Sequence, residues 1–191
     1  MLYLIGGASR SGKTLLARRA VAERQIPYFP IDGLLSVFAE RIPILGVTYE
    51  QSLVERPVKM WPMTKQLLTY LIQEEQDYVV EGDSFLPSQI HEFMHEQQSV
   101  RCCFLGYTEL TEDEKLIMVR QYHQGNRDWT KEIPDTDMLK MINEMIQFSE
   151  YLKNNCAAQG IEYFDVSRDF QEARDAAYNY LFSPPSVWTA R

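Results

Sequence analysis

The residues with the clearest chemical pattern stand near the start of the chain: Gly7-Ala8-Ser9-Arg10-Ser11-Gly12-Lys13-Thr14. Their spacing, G-x-x-x-x-G-K-[ST], is that of a loop that cradles phosphate. The two glycines let the backbone fold tightly and approach phosphate oxygens without a Cβ in the way. Successive N–H groups of Arg10, Ser11, Gly12, Lys13 and Thr14 would point inward as an anion nest at the positive end of the following helix. Gly7 and Ser9 belong to the same set of expected nucleotide contacts. The Lys13 charge would reach the β- and γ-phosphates, and the Thr14 hydroxyl would take one Mg²⁺ coordination site. The Arg10 side chain is expected to point away from the phosphates.

Such a loop needs a buried strand before it and a helix after it. Leu2 to Ile5 is a short apolar run, and Lys13 to Arg24 is rich in Leu, Ala, Arg and Glu with no Gly or Pro, which is helix composition. Farther on, the pattern alternates. Strands are expected at Pro27–Ile31, Tyr78–Val80, Val100–Leu105 and Ile161–Phe164. Helices are expected at 34–41, 57–75, 87–97, 111–123 and 169–182, and along the stripe Met138, Met141, Ile142, Met145, Phe148, Leu152. Ile42 to Glu55 has no clear period. Short apolar strands alternating with helices predict a parallel sheet with helices on both faces.

Ligands bind outside the carboxyl ends of the strands in such sheets. Those ends carry Gly7–Thr14, Asp32-Gly33, Glu81-Gly82-Asp83, Gly106-Tyr107 and Asp165-Val166-Ser167. Asp32 is placed to orient or deprotonate an acceptor hydroxyl; alternatively, it is a turn residue before Gly33. Glu81 and Asp83 are candidates for holding Mg²⁺ through water, with the choice between them open. Arg120 and Arg127 flank a polar break where a lid over a migrating phosphoryl group would sit. Arg41, Arg56 and Lys59, in the irregular stretch, could grip an anionic acceptor.

A second motif competes. His91-Glu92-Phe93-Met94-His95 has H-E-x-x-H spacing, the helical zinc-protease pattern, and Glu114 stands where a third ligand would be sought. The intervening strand decides against it, because it carries the chain roughly 20 Å across the sheet at about 3.3 Å per residue. The expectation is two solvated histidines on a crossover helix.

Bulk properties bound the rest. The chain has 191 residues, 45% hydrophobic and 24% charged, with a formal charge of −8. That balance predicts a globular protein and argues against non-specific nucleic-acid binding, which needs a basic surface. No apolar run is long enough to span a bilayer. With the first strand beginning at Leu2, the expected location is the cytoplasm. Cys102, Cys103 and Cys156 lack metal-ligand spacing and read as buried, reduced thiols. One domain over 1–191 is expected, with an acceptor-binding insertion at about 33–75 and a lid at about 120–136. The oligomeric state is expected to be monomer or homodimer.

Gly7-x4-Gly12-Lys13-Thr14 on a first strand, Asp32 after the second, Glu81-Gly82 after the third and a lid after the fourth resemble the small P-loop kinases. These include adenylate-kinase-like, shikimate-kinase-like and chloramphenicol-phosphotransferase-like enzymes; Gly-Gly-x-Ser-x-Ser-Gly-Lys with Ile31-Asp32-Gly33-Leu34-Leu35 is most similar to the last. The resemblance implies a three-layer α/β fold with a five-stranded parallel sheet in the order 2-3-1-4-5. It implies ATP and Mg²⁺ as co-substrates, Asp32 acting on the hydroxyl of a small molecule, and an adenine pocket near Arg120, Ser167 and Arg168. The sequence departs from the adenylate kinases in carrying Glu81-Gly82 where they have Asp-Gly, and in lacking their full set of lid arginines. A nucleoside or nucleotide acceptor is the alternative, and a non-catalytic nucleotide-binding module the reading from another class.

Overall fold

Leu2, Leu4 and Ile5 are sealed from solvent because their strand, β1 (Leu2–Gly7), lies at the centre of a sheet. The computed structural model describes residues 1–122 and 128–183. The other strands are β2 (Tyr28–Pro30), β3 (Tyr78–Glu81), β4 (Val100–Gly106) and β5 (Glu162–Asp165). They form one five-stranded sheet in the order β2-β3-β1-β4-β5, with every pairing parallel. Parallel strands must return by crossovers, and helices supply them on both faces: α1 (Lys13–Arg24), α2 (Asp32–Arg41), α3 (Glu55–Gln73), α4 (Pro87–Glu96), α5 (Glu112–Gln121), α6 (Asp135–Gln159) and α7 (Phe170–Phe182). A strand covered on both faces reads as a continuous apolar run rather than an alternating one. This is why Val79-Val80 and Cys102-Cys103-Phe104-Leu105 are buried without a break.

The pattern of the sequence is realised with small boundary shifts, α3 for instance running Glu55–Gln73 rather than 57–75, and two of the differences bear on the site. The helix expected from Leu34 begins at Asp32, which stands in the first turn of α2 with Ile31 as its N-cap; an acidic residue there faces the positive end of the helix. The methionine-bearing stripe extends to a helix of 25 residues, α6, ended by Gly160 in the left-handed region. The three cysteines are buried free thiols.

The stretch between α2 and α3 has a small core of its own. Leu35 and Phe38 of α2, Val47 of the loop and Met60 of α3 cluster away from the main core, with Leu34, Leu45 and Met63 packed around them. A single 3-10 turn, Pro43–Leu45, interrupts the loop. This second cluster holds the insertion beside the carboxyl ends of the strands. Among the described residues no helix is long and apolar enough to cross a membrane.

Candidate functional site

The loop between β1 and α1 adopts its shape through backbone that side chains resist. Gly12 (φ 97) and Gly7 (φ 141) lie in the region open to glycine. A Cβ at Gly7 would stand 2.0 Å from the Leu105 carbonyl oxygen, and one at Gly12 would stand 2.8 Å from the Phe170 ring. The loop is therefore wedged between β4 and the start of α7, and its curvature is fixed from both sides. Leu15 and Leu16 N–H groups both donate to the Gly12 carbonyl. That leaves the N–H groups of Lys13 and Thr14 in the orphaned first turn of α1, the positive end of the helix. Lys13 is buried and donates to the Ala8 carbonyl at 2.8 Å. Ser11 is fully buried, and its hydroxyl has no hydrogen-bond partner among the described residues. A concave set of spare donors of this kind fits an anion.

Thr14 turns its hydroxyl to Glu81, donating to Oε1 at 3.0 Å. Glu81 ends β3 almost completely buried. Its carboxyl pKa is raised by burial, with Lys13 and the Thr14 hydrogen bond opposing and Asp83 adding to the rise. Asp83 is half-buried, and its N–H donates to Asp32 Oδ1 at 3.3 Å. The three acids thus converge from β3 and α2 next to Lys13. The Asp32 pKa is pushed well above the carboxylate range, first by desolvation in the crowded cleft floor and next by Asp83, with Lys13 opposing. Its side chain remains open to water on the cavity side, which tempers the desolvation and leaves the like charges of Asp83 and Glu81 as firm contributors. Gly82 allows this approach: a Cβ there would stand 2.3 Å from Ile31 Cγ2 and 2.6 Å from Asp32 Oδ1.

Ser9, Asp32 and Asp83 open onto a cavity of about 930 Å³, whose far side is built by residues 49–56, Trp129 and α6. The sequence placed an acceptor site in the insertion but missed α6 and Trp129 as its other wall. Their signal was present in the stripe around Met141, Met145 and Phe148, all three of which line the cavity.

The cations of the insertion are partly engaged by its own loop, although Arg56 also lines the cavity. Arg56 donates through Nη2 to the carbonyls of Tyr49 and Gln51, both at 3.1 Å. Lys59 donates to the Gly46 carbonyl at 2.9 Å. Loop carbonyls without a helix or strand to receive a hydrogen bond need donors, and these two cations supply them. Arg41 is exposed at the end of α2.

Arg10 does point away from the phosphate nest. It is paired with Asp128 at 2.8 Å, with both side chains under a tenth exposed, and it also donates to the Thr130 hydroxyl at 2.6 Å. Arg120 is bound to the same segment: it donates to the Thr130 and Ile133 carbonyls and to Asp135. In this arrangement Arg120 holds the 130–135 segment rather than reaching into the loop. Arg127 lies outside the described residues.

Two supports under the loop escaped the sequence reading. Tyr107, fully buried just past β4, donates its hydroxyl to the Ser9 carbonyl at 2.8 Å. Lys115 of α5, 3% exposed, donates to the Arg10 carbonyl at 3.0 Å and stands 3.6 Å over the Tyr107 ring. Burial, with Arg10 and Lys13 adding repulsion, lowers its pKa to about 7. The available signal was its place one turn before the buried Val119, a core-facing position carrying a charge.

Beyond β5, Ser167 donates to Asp165 Oδ1 and accepts from the Glu109 N–H at 3.0 Å. Partial burial pushes the Asp165 carboxyl up, but hydrogen bonds from Ser167 and Thr108 outweigh it and hold the pKa below the ordinary value. Arg168 is largely exposed and pairs with Glu109. This loop leads into Phe170, whose ring lies against Gly12.

The histidine motif is placed on α4. His91 Nδ1 faces the Gln159 carbonyl at 3.0 Å, and the Nε2 atoms of His91 and His95 are 3.1 Å apart. Glu114 is engaged in the N-terminal capping box of α5 with Thr111. Among the described residues no group of three or more His, Cys, Asp or Glu side chains converges as a metal cage.

No protein-family model matches the chain, and no curated protein matches it in sequence. Solved structures do match. An uncharacterized protein from Eubacterium ventriosum is 15% identical, with 96% of this chain and 99% of that chain covered and a TM-score of 0.54. A gluconokinase from Sinorhizobium meliloti is 16% identical, with 94% and 90% covered and a TM-score of 0.50. At these identities the likeness is one of fold. The fold of this chain is that of the small P-loop kinases.

Proposed function

We propose that the protein is an ATP- and Mg²⁺-dependent phosphotransferase that moves the γ-phosphoryl group to a hydroxyl of a small molecule. The observation that carries this reading is Asp32: it lies on the floor of a large cavity, beside Ser9 of the phosphate loop and within the field of Lys13. A module that only bound nucleotide would have no use for a cavity ending on an acid at that point. The alternative acceptor, a nucleotide, would find Arg56 as the one described cation on the cavity wall to meet its phosphate.

The donor set fits MgATP. The loop N–H groups, Lys13 and the unpartnered Ser11 hydroxyl suit phosphate oxygens, and the Thr14–Glu81 pair, with Asp83 beside it, suits a hydrated Mg²⁺. Mg²⁺ is usually held by phosphates, water and one or two carboxylates rather than by a protein cage. Bound Mg²⁺ would neutralise phosphate charge. Lys13 offsets the negative charge of the migrating group. Asp32 orients the acceptor hydroxyl and takes its proton, as the acceptor oxygen bonds to phosphorus and the bond to the bridging oxygen breaks, leaving ADP. Ser167 and Arg168 border the space for the adenine, and Arg120 anchors the 130–135 segment. The chain from 1 to 191 would act as one domain.

Asp32→Asn tests the reading. Nucleotide affinity should persist, while ATP-dependent transfer in an acceptor screen should collapse. Unimpaired transfer would return Asp32 to the role of a turn residue.

A further inference from the structure

The cavity beyond Asp32 carries information about what enters it. Among the described residues its lining includes five carboxylates, Asp32, Glu50, Glu55, Asp83 and Glu144, against one cation, Arg56. That cation donates through Nη2 to the Tyr49 and Gln51 carbonyls, while its Nε has no partner among the described residues. Asp32 and Asp83 belong to the phosphate side. Glu55 accepts from the Ser52 N–H and hydroxyl at the start of α3. Glu50 and Glu144 are exposed on the remaining walls. The same lining includes the rings of Tyr49, Trp129, Phe148 and Tyr151, with Phe148 and Tyr151 stacked at 6.1 Å. A concave wall of one sign concentrates ions of the other, and aromatic faces attract organic cations. A carboxylate or phosphate ester entering here would face five described carboxylates with a single described cation, Arg56, against them.

We infer that the acceptor is an amine-bearing alcohol with an apolar or aromatic body, its cation held by Glu50, Glu144 and the aromatic wall while its hydroxyl reaches Asp32. The inference rests on the phosphotransferase reading and names its substrate class. The amine stays protonated, the hydroxyl proton passes to Asp32, and the products are a phosphate monoester and ADP. This sets the site apart from that of an enzyme acting on a sugar acid.

The test has two arms. In the first, the Trp129 share of the fluorescence, taken as wild type minus Trp129→Phe, is quenched by caesium and by iodide at matched ionic strength without nucleotide. Each value is normalised to free N-acetyltryptophanamide. Caesium should win by about sevenfold, the ratio of the opposite Boltzmann factors for one kT, and Glu50→Gln with Glu144→Gln should lower the preference. Equal quenching, or a preference for iodide, overturns the inference. In the second arm, three probes of one skeleton are titrated with ATP present and followed through Trp129: 2-amino-1-phenylethanol, 1-phenyl-1,2-ethanediol and mandelate. The amine should bind tightest and mandelate weakest; mandelate binding as well as the amine overturns it. If no probe saturates, the ionic quenching decides alone. Lys13→Ala judges the phosphotransferase reading separately: retained ATP binding there sinks that reading, whatever charge the quenchers report.

Discussion

The phosphate loop and the cavity opposite it are built from different materials. The loop is backbone: glycines in special conformations, the N–H groups of a helix start, and a fit so close that a Cβ at Gly7 would stand 2.0 Å from the Leu105 oxygen. The cavity is side chains, drawn from α2, residues 49–56, Trp129 and α6. A phosphate group is the same in every nucleotide, so one rigid cradle serves and a short motif can encode it. An acceptor varies, and its pocket is written in residues far apart in the chain. The two meet at Asp32.

Four substitutions would break or sharpen this contrast. Lys13→Ala should have the largest effect, lowering nucleotide affinity and cutting transfer by about a thousandfold, the scale of a lost electrostatic stabiliser; titration with ATP and steady-state kinetics measure both. Next is Asp128→Ala. It leaves the Arg10 guanidinium buried without its carboxylate and should cost about 3 kcal/mol of stability, read by denaturant unfolding. A loss below about 0.5 kcal/mol, the range of ordinary surface changes, would show that the loop does not depend on its tie to the 128–135 segment.

Asp32→Asn should leave the loop half intact, with ATP affinity unchanged, and lower transfer by about a hundredfold, as for loss of general-base assistance. Lys115→Met should have the mildest effect, visible as a change of slope. The Lys115 pKa is lowered to about 7 in the folded protein, against about 10.4 for an ordinary lysine. Between those values the unfolded chain binds more protons at this residue, so its contribution to stability rises with pH across that window and is flat below it. Thermal unfolding at several pH values should show wild type gaining on the variant from about pH 7 towards pH 10. Parallel curves would mean that Lys115 titrates as an ordinary lysine.

The sequence was most legible where local rules suffice. The apolar run of β1, the helix composition after Lys13 and the Thr111–Glu114 capping box each lead to the element observed. It was less legible where a side chain answers to a distant partner. Asp32 reads as an acid for the acceptor hydroxyl or, alternatively, as a turn residue before Gly33; that it opens α2 is set by the Ile31 N–H bonding the Glu81 carbonyl and by Gly82 leaving room for the carboxylate. Lys59 looks like an anion grip in an irregular stretch, but the Gly46 carbonyl claims it, and Arg56 gives its Nη2 to the Tyr49 and Gln51 carbonyls while still lining the cavity. Arg120 looks like a lid cation and is tied to Thr130, Ile133 and Asp135. In each case an unpaired backbone or carboxylate group, invisible in a linear pattern, determines where the charge goes.

By itself, then, the sequence determined a parallel α/β sheet and a phosphate cradle, because both follow from periodicity and from glycine spacing within about a dozen residues. Tertiary structure alone decided the rest. It set Lys115 and Tyr107 beneath the loop, tied Arg10 to Asp128, and brought Trp129 and α6 across from Asp32 to close the cavity. Those contacts join residues from about a hundred positions apart, and only the folded sheet and its crossover helices place them within reach of one another.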